Sequence, residues 1–281
     1  MDAIYDDIGN NYSVTRRTDP KIAQQLYSEL QGATQIVNIG AGTGSYEPEN
    51  IEVVAVEPSS VMISQRKVGS HRVEHAFAEK LPFENGSFSH AMTVLSMHHW
   101  QNRARAFDEI NRVATEKFVA ITWDPTSEPF WLTRDYFPEI YEMDKAIFPR
   151  LEELNEYFDE VSIRPLQIPS DCQDGLLAAF WKRPEAYLSS QVRQAMSPFS
   201  KIKNLSEGLQ KLEDDLASGV WARKYHALLG SSYLDVGYRL ISAKVRNAKH
   251  SPSLRVAIPI VFDMHERRHR LTLSAQDRFF Y

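Results

Sequence analysis

The chain has 281 residues, 43% of them apolar and 25% charged, a balance that excludes disordered, collagenous and coiled-coil proteins. Lysine and arginine number 32 against 37 for aspartate and glutamate, a net charge of −5, so no chain-wide positive field exists to hold a nucleic-acid backbone. One cysteine, Cys172, excludes an internal disulfide and suits a reducing, cytoplasmic compartment. The start is acidic (Asp2, Asp6, Asp7) where a signal peptide is basic, and no apolar run approaches the ~20 residues that span a bilayer. Neither membrane nor nucleic acid is an expected partner.

Asp19-Pro20 reads as an N-cap with proline at the first helical position, opening a helix through Leu30. Ile36–Ile39 is a short strand that stops at Gly40-Ala41-Gly42-Thr43-Gly44, and Ile51–Val56 is a second, ended by Glu57-Pro58. Ser59 or Ser60 caps a helix over Val61–Arg66. Further strands are expected at Arg72–Phe77, Ser89–Ser96 and Phe118–Trp123, with Ala106, Phe107, Ile110 and Val113 at helical spacing between the last two. This alternation predicts an α/β fold, a doubly wound parallel sheet covered by helices. After Trp123 the rhythm breaks into an aromatic stretch (Phe130, Trp131, Tyr136, Phe137, Tyr141, Phe148). A helix near Leu151–Phe158, a strand-like Val161–Ile168, a long helical region from Asp174 to about Ala217 and an apolar strand at Asp235–Val245 follow. Leu254–Phe262 can pair as an extra strand. The expected domain spans residues 1–245, with cap segments at about 124–150 and 172–218, and residues 246–281 form a C-terminal extension.

The strongest chemical signal is the glycine turn, a strand ending in Gly40-Ala41-Gly42-Thr43-Gly44, with a second strand ending in Glu57. Glycines there reach φ values that other residues avoid and let backbone approach a ligand. A carboxylate closing the neighbouring strand can accept both hydroxyls of a ribose. Dinucleotide sites use G-x-G-x-x-G, but here Ser45 stands where the third glycine falls, and no basic residue in the turn neutralises a phosphate. The expected ligand is a nucleoside without phosphate, a description S-adenosylmethionine satisfies.

Ile36–Tyr46 (IVNIGAGTGSY), Val54–Ser59 (VAVEPS), Ala78–Phe83 (AEKLPF) with Gly86-Ser87-Phe88, and Leu95–Trp100 (LSMHHW) resemble the successive motifs of class I S-adenosylmethionine-dependent methyltransferases, in the broad type 11 group. The resemblance covers roughly residues 1–124 and is specific for the superfamily, not for a substrate. It implies a Rossmann-like, seven-stranded sheet whose last strand is antiparallel, with Asp235–Val245 as that strand, plus helical cap insertions. It also implies a cofactor set. The turn of Gly40, Ala41, Gly42 and Gly44 faces the methionine part, Glu57 with Pro58 holds the ribose, and Phe77, Ala78 and Leu95 complete the site, the Phe77–Glu79 region covering adenine.

The chain departs from the family pattern in three places. Asn38 stands where relatives carry an acid two residues before the first glycine, so an amide must accept what a carboxylate usually does. The link from Gly44 to Ile51 is too short for the usual helix, so Tyr46-Glu47-Pro48 is expected to turn. Phe77 replaces an adenine-binding acid, leaving stacking and a backbone amide near Ala78, with Glu79 a solvated or capping residue. In relatives the segment matching Tyr12 and Arg16 closes over the cofactor, and either a carboxylate contact by Arg16 or a solvated surface helix suits Arg16 and Arg17.

His98-His99-Trp100 follows the fourth strand, where the transferred methyl should lie, and a neutral imidazole there can take a proton from the attacking nucleophile. The competing reading is that both histidines pack and shape the pocket. Neighbours on an extended strand face opposite ways, so at most one reaches substrate, with His99 favoured over His98. His265-Glu266-Arg267-Arg268-His269 matches H-E-x-x-H, a zinc peptidase pattern, but Arg267 and Arg268 crowd positive charge there and little chain follows to supply a third ligand, so no metal is expected. The reading that results is methyl transfer to an O, N or C nucleophile of a small or medium-sized molecule held under an aromatic cap. A non-catalytic partner protein of the same fold stays open as the alternative, and the oligomeric state is not legible.

Overall fold

Short runs of β-branched and small apolar residues, hydrophobic on both faces, build the centre of this protein, the pattern of a parallel sheet buried on both sides. The computed structural model describes residues 16–194 and 196–246, all within one compact unit. In chain order the sheet strands are β1 (Gln35–Ile39), β2 (Glu52–Val56), β3 (Val73–Glu74), β4 (Phe88–Val94), β5 (Ala114–Trp123) and β6 (Asp159–Pro165). A two-stranded ribbon of β7 (Ile168–Pro169) and β8 (Tyr233–Leu234) comes next, then β9 (Tyr238–Lys244). The seven-stranded sheet has the order β3-β2-β1-β4-β5-β9-β6. β9 runs antiparallel to both its neighbours, and β1 to β5 pair in parallel. The expected antiparallel last strand is therefore the one predicted at Asp235–Val245, shortened at its start.

Alternate residues feed opposite layers. Val37, Val54, Ala91, Phe118 and Ile241 join one core with Ala106, Phe107, Ile110 and Val113 of the helix Arg103–Val113. Ile36, Val53, Met92, Val119 and Leu240 join the other with Ile22, Ala23 and Leu26 of the helix Pro20–Glu29. Asp19 caps that first helix (α1) by accepting from the amides of Lys21 and Ile22, with Pro20 at its opening position, as the sequence indicates. The strand order reverses beside β1, between β2 and β4, and the carboxyl ends of these strands leave a crevice there.

Three expectations need correction. β4 ends at Val94, and Met97–His99 form a 3₁₀ turn, so the two histidines are not on a strand. The predicted strand Val161–Ile168 is divided between β6 and β7. The long helical region expected from Asp174 to about Ala217 consists of 3₁₀ turns at Pro184–Leu188 and Ser197–Ser200, a short helix at Ser190–Gln194 and the helix Leu205–Ala217, with no helix before Pro184. Pro184 and Pro198 each open a 3₁₀ turn, because a proline fits the start of a helical turn and not its interior. Leu254–Phe262 and the His265–His269 motif lie outside the described residues. Arg246, where the extension was expected to begin, still belongs to the domain: its side chain donates to the carbonyls of Asn155, Glu156 and Phe158 and to Asp159.

The cap has a core of its own. Trp131, Leu132, Tyr136, Phe137 and Ile140 pack with Tyr187, Phe199, Leu212, Trp221 and Tyr225. Trp131 sits among five rings, Phe130, Tyr136, Tyr187, Trp221 and Tyr225, at centroid distances of 5.8, 5.9, 5.7, 5.3 and 5.8 Å. Its indole N–H donates to the Trp181 carbonyl at 2.8 Å, and the Trp181 indole donates to the Ile168 carbonyl at 3.0 Å. Two indoles thus tether the cap to the chain beside the sheet. Trp131→Ala should lower the urea-unfolding free energy by ~3–5 kcal/mol, as for a fully buried tryptophan. A loss below ~1 kcal/mol would show that the cap does not unfold with the domain.

Candidate active site

The crevice at the ends of β1, β2 and β4 is lined by eleven of the residues proposed from sequence or resemblance: Arg16, Asn38, Gly40, Ala41, Gly42, Glu57, Pro58, Phe77, Ala78, Leu95 and His99. Gly44 and His98 are not part of that lining. The Gly44 amide closes the turn onto the Ala41 carbonyl at 3.0 Å. Tyr12 lies outside the described residues. Thr43, Ser45, Met62, Ser96, Trp100 and Gln101 also line the crevice. Of these, Met62 and Ser96 were recoverable only from tertiary packing. Glu79 lines the crevice too, and accepts from the Asn102 amide at 3.0 Å, the capping role the sequence suggested.

Glu57 organises the edge. Its Oε2 accepts from the Gly42 amide at 2.7 Å and its Oε1 from the Ser59 amide at 2.9 Å. Ser59 in turn caps the short helix Ser60–Ser64 through the Met62 amide. The buried carboxylate therefore ties the glycine turn to the chain that leaves β2. The link 40–51 contains no helix, as its length required.

Gly40 and Gly42 adopt φ of 68° and 53°, a region disfavoured for side-chain-bearing residues. At Gly40 the constraint is also steric: a Cβ there would stand 1.7 Å from Ser96 Oγ. Ser96 Oγ accepts from the Trp100 indole at 3.2 Å. Leu95, at φ 52°, bends the chain out of β4 and into this packing. The first glycine is thus required by the neighbouring turn as well as by any ligand.

Asn38 is buried on β1 and donates its amide N–H to Glu47 Oε1 at 3.0 Å. Glu47 is paired with Arg66 at 2.7 Å, both side chains 4% exposed, and Arg66 also donates to the Gly42 carbonyl. A carboxylate only accepts, so the Asn38 NH₂ must face Glu47. That leaves Asn38 Oδ1 buried without a hydrogen-bond partner among the described residues. Arg16 reaches the crevice, but its guanidinium bonds Asp174 at 2.7 and 3.3 Å, and Asp174 also accepts from the Tyr46 hydroxyl. Burial, with Asp174 beside it, drives the Tyr46 hydroxyl pKa far up, so it stays a donor.

The histidines differ. His99 lines the crevice, and burial, assisted by the Lys201 charge, lowers its pKa to about 4. His98 stacks on Phe148 (4.1 Å, 25°) and meets His99 at a tilt (3.8 Å, 47°), with its Nδ1 buried and unpartnered among the described residues. Burial first, then His99 and Lys201, hold its pKa well below the usual imidazole range. Both rings are neutral near pH 7. Among the described residues no group of three or more His, Cys, Asp or Glu could hold a metal, and no helix is long and apolar enough to cross a membrane.

This geometry agrees with what the chain is similar to. A family model described as "Methyltransferase domain" matches residues 37–117. A putative methyltransferase from an antibiotic biosynthesis pathway of Anabaena variabilis is 31% identical, with 81% of this chain and 98% of that chain covered and a TM-score of 0.74. The chain belongs to the class I S-adenosylmethionine-dependent methyltransferases. A Thermotoga maritima protein, a possible histamine N-methyltransferase, shares the fold at 17% identity, covering 86% of this chain and 99% of that chain with a TM-score of 0.53. A Saccharomyces cerevisiae tRNA (carboxymethyluridine(34)-5-O)-methyltransferase is 28% identical over 118 residues, 40% of this chain and 42% of that protein. The match spans less than half of that curated relative.

The Gly40–Ser96 contact is directly testable. Gly40→Ala should cost roughly 2–4 kcal/mol in thermal or urea unfolding, from positive φ and overpacking together. Adding Ser96→Gly should recover at least ~1 kcal/mol in the double-mutant cycle. Additive losses would place the strain elsewhere.

Proposed function

We propose that this protein transfers the methyl group of S-adenosylmethionine to an O, N or C nucleophile of a small or medium-sized organic molecule. The observation that carries the cofactor part is the pair of acceptors on one crevice, the Glu57 carboxylate and the orphaned Asn38 Oδ1. Glu57 fits the ribose hydroxyls as a buried carboxylate acceptor that closes β2 and lines the crevice. Asn38 Oδ1 suits an ammonium donor, and the Glu47–Arg66 pair behind it holds the amide in that orientation. Phe77 and Ala78 fit a flat base. When bound, the cofactor supplies a methyl group made electrophilic by its sulfonium. The chain's own contribution is to hold the nucleophile in line and to exclude water, which accounts for much of the rate in such a transfer.

His99, which lines the crevice, is assigned the proton from the nucleophile in this reading. Its low pKa keeps the ring unprotonated, and so competent as an acceptor, across the neutral range. The net charge of −5 supports a small-molecule acceptor over a nucleic acid. The yeast relative favours tRNA as a second reading. Methylation assays on transfer RNA and on small acceptors separate the two.

Glu57→Ala should weaken S-adenosylhomocysteine binding by roughly 2–4 kcal/mol in isothermal titration, the range for a charged hydrogen-bond acceptor. Near-wild-type affinity in the folded variant would remove Glu57 from the site. His99→Gln should leave that affinity unchanged and lower kcat at least about a hundredfold on an authentic substrate. Because the folded His99 pKa lies below the free value, the ring gains its proton only near pH 4, and kcat should show no loss with a midpoint near 6.5. A midpoint there, or full activity in the variant, would contradict the base role.

A further inference from the structure

Behind the histidines lies a second cavity that the cofactor site does not use. It holds about 30 Å³, room for a small head group, and is walled by Trp123, Phe130, Tyr141 and Phe148, with Asp144 and Tyr238 among its ionisable members. The rings are fixed. Trp123 meets Tyr141 edge-on at 5.8 Å and Phe148 at 5.6 Å, the Trp123 indole donates to the Val236 carbonyl, and the Tyr141 hydroxyl donates to the Ser127 carbonyl. Neither the Asp144 carboxylate nor the Tyr238 hydroxyl has a hydrogen bond or ion pair among the described residues. The ionised carboxylate is disfavoured inside this wall, with only the Lys201 charge acting against burial, so a cation arriving from outside would be paired there to advantage.

From this arrangement we propose that the cavity is an anchoring subsite for an ammonium-bearing acceptor substrate, the cation lying against the rings and paired with Asp144. Aromatic faces attract a cation, and a desolvated carboxylate supplies the counter-charge and hydrogen-bond acceptors. Tyr238 offers a further hydroxyl. Burial holds the Asp144 carboxyl up at about 7, opposed by the Lys201 charge, and burial together with Asp144 raises the Tyr238 hydroxyl. An incoming ammonium would favour the ionised carboxylate.

The cavity meets the cofactor crevice across Phe148, His98 and His99. Rings therefore stand between a cation in the cavity and a sulfonium in the crevice, and like charges are kept apart. An ammonium nitrogen also lacks the lone pair that attack on the methyl requires. It serves as the handle, and the accepting atom is elsewhere in the molecule. This inference rests on the small-molecule reading above and adds the charge its substrate must carry.

The test uses the full chain saturated with S-adenosylhomocysteine at pH 8, titrated with benzylamine and with its neutral counterpart benzyl alcohol. Benzylamine should bind at least about tenfold more tightly, as expected for a cation–π contact reinforced by an ion pair. Asp144→Asn should abolish that preference while leaving S-adenosylhomocysteine and benzyl alcohol binding within about twofold. Tyr141→Leu should reduce benzylamine affinity independently. Equal binding of the two probes, no benzylamine binding, or a preference that survives Asp144→Asn would overturn the anchor. Each of those results with S-adenosylhomocysteine affinity intact leaves the methyltransferase reading standing, whereas loss of that affinity in the wild type strikes the reading itself.

Discussion

A carboxylate with an amide on each oxygen holds this site together. Glu57 ends β2, bonds Gly42 in the turn after β1 and bonds Ser59 at the start of the next helix. These amides would otherwise be orphan donors at a sheet edge, where leaving one unpaired costs about 1–3 kcal/mol. With both taken, the turn and the helix start share one rigid frame. The group that builds this edge also lines the crevice, where the proposed function has ribose hydroxyls dock.

The substitution of Asn38 for an acid is compensated nearby. Glu47 and Arg66 form a buried pair that takes the amide N–H and braces the Gly42 carbonyl, leaving a neutral but aligned acceptor on β1. Buried ion pairs contribute little net stability but enforce geometry when both partners are satisfied. Here the pair fixes which way an amide points, which a lone asparagine cannot do.

The parallel half of the fold was legible in the sequence because each strand announces itself by an apolar run and each break by glycine, proline or a cap. Gly40, Gly42 and Glu57 were legible for the same reason, since they sit at strand ends. What could not be read depends on contacts between distant segments. Ser96 beside Gly40, Arg66 behind Asn38 and Asp174 on Arg16 carry no local pattern. The fourth strand is expected to run to Ser96, with extended chain through the histidines, because Leu95 has an apolar side chain; its positive φ, just before the 3₁₀ turn, leaves no mark in the composition. The helical region expected from Asp174 to about Ala217 is divided at Pro184 and Pro198, and its rings serve a separate core that no local pattern announces.

The central claim is that the crevice beside Glu57 is built for a phosphate-free nucleoside carrying an amino acid. Isothermal titration of the wild-type chain with S-adenosylhomocysteine and, separately, with NAD tests it most directly. One-to-one binding of S-adenosylhomocysteine and none of NAD is expected, because Ser45 stands where a pyrophosphate turn has its third glycine and the link 40–51 contains no helix whose N-terminus could hold a pyrophosphate. Binding of NAD in its place, or of neither, would contradict it.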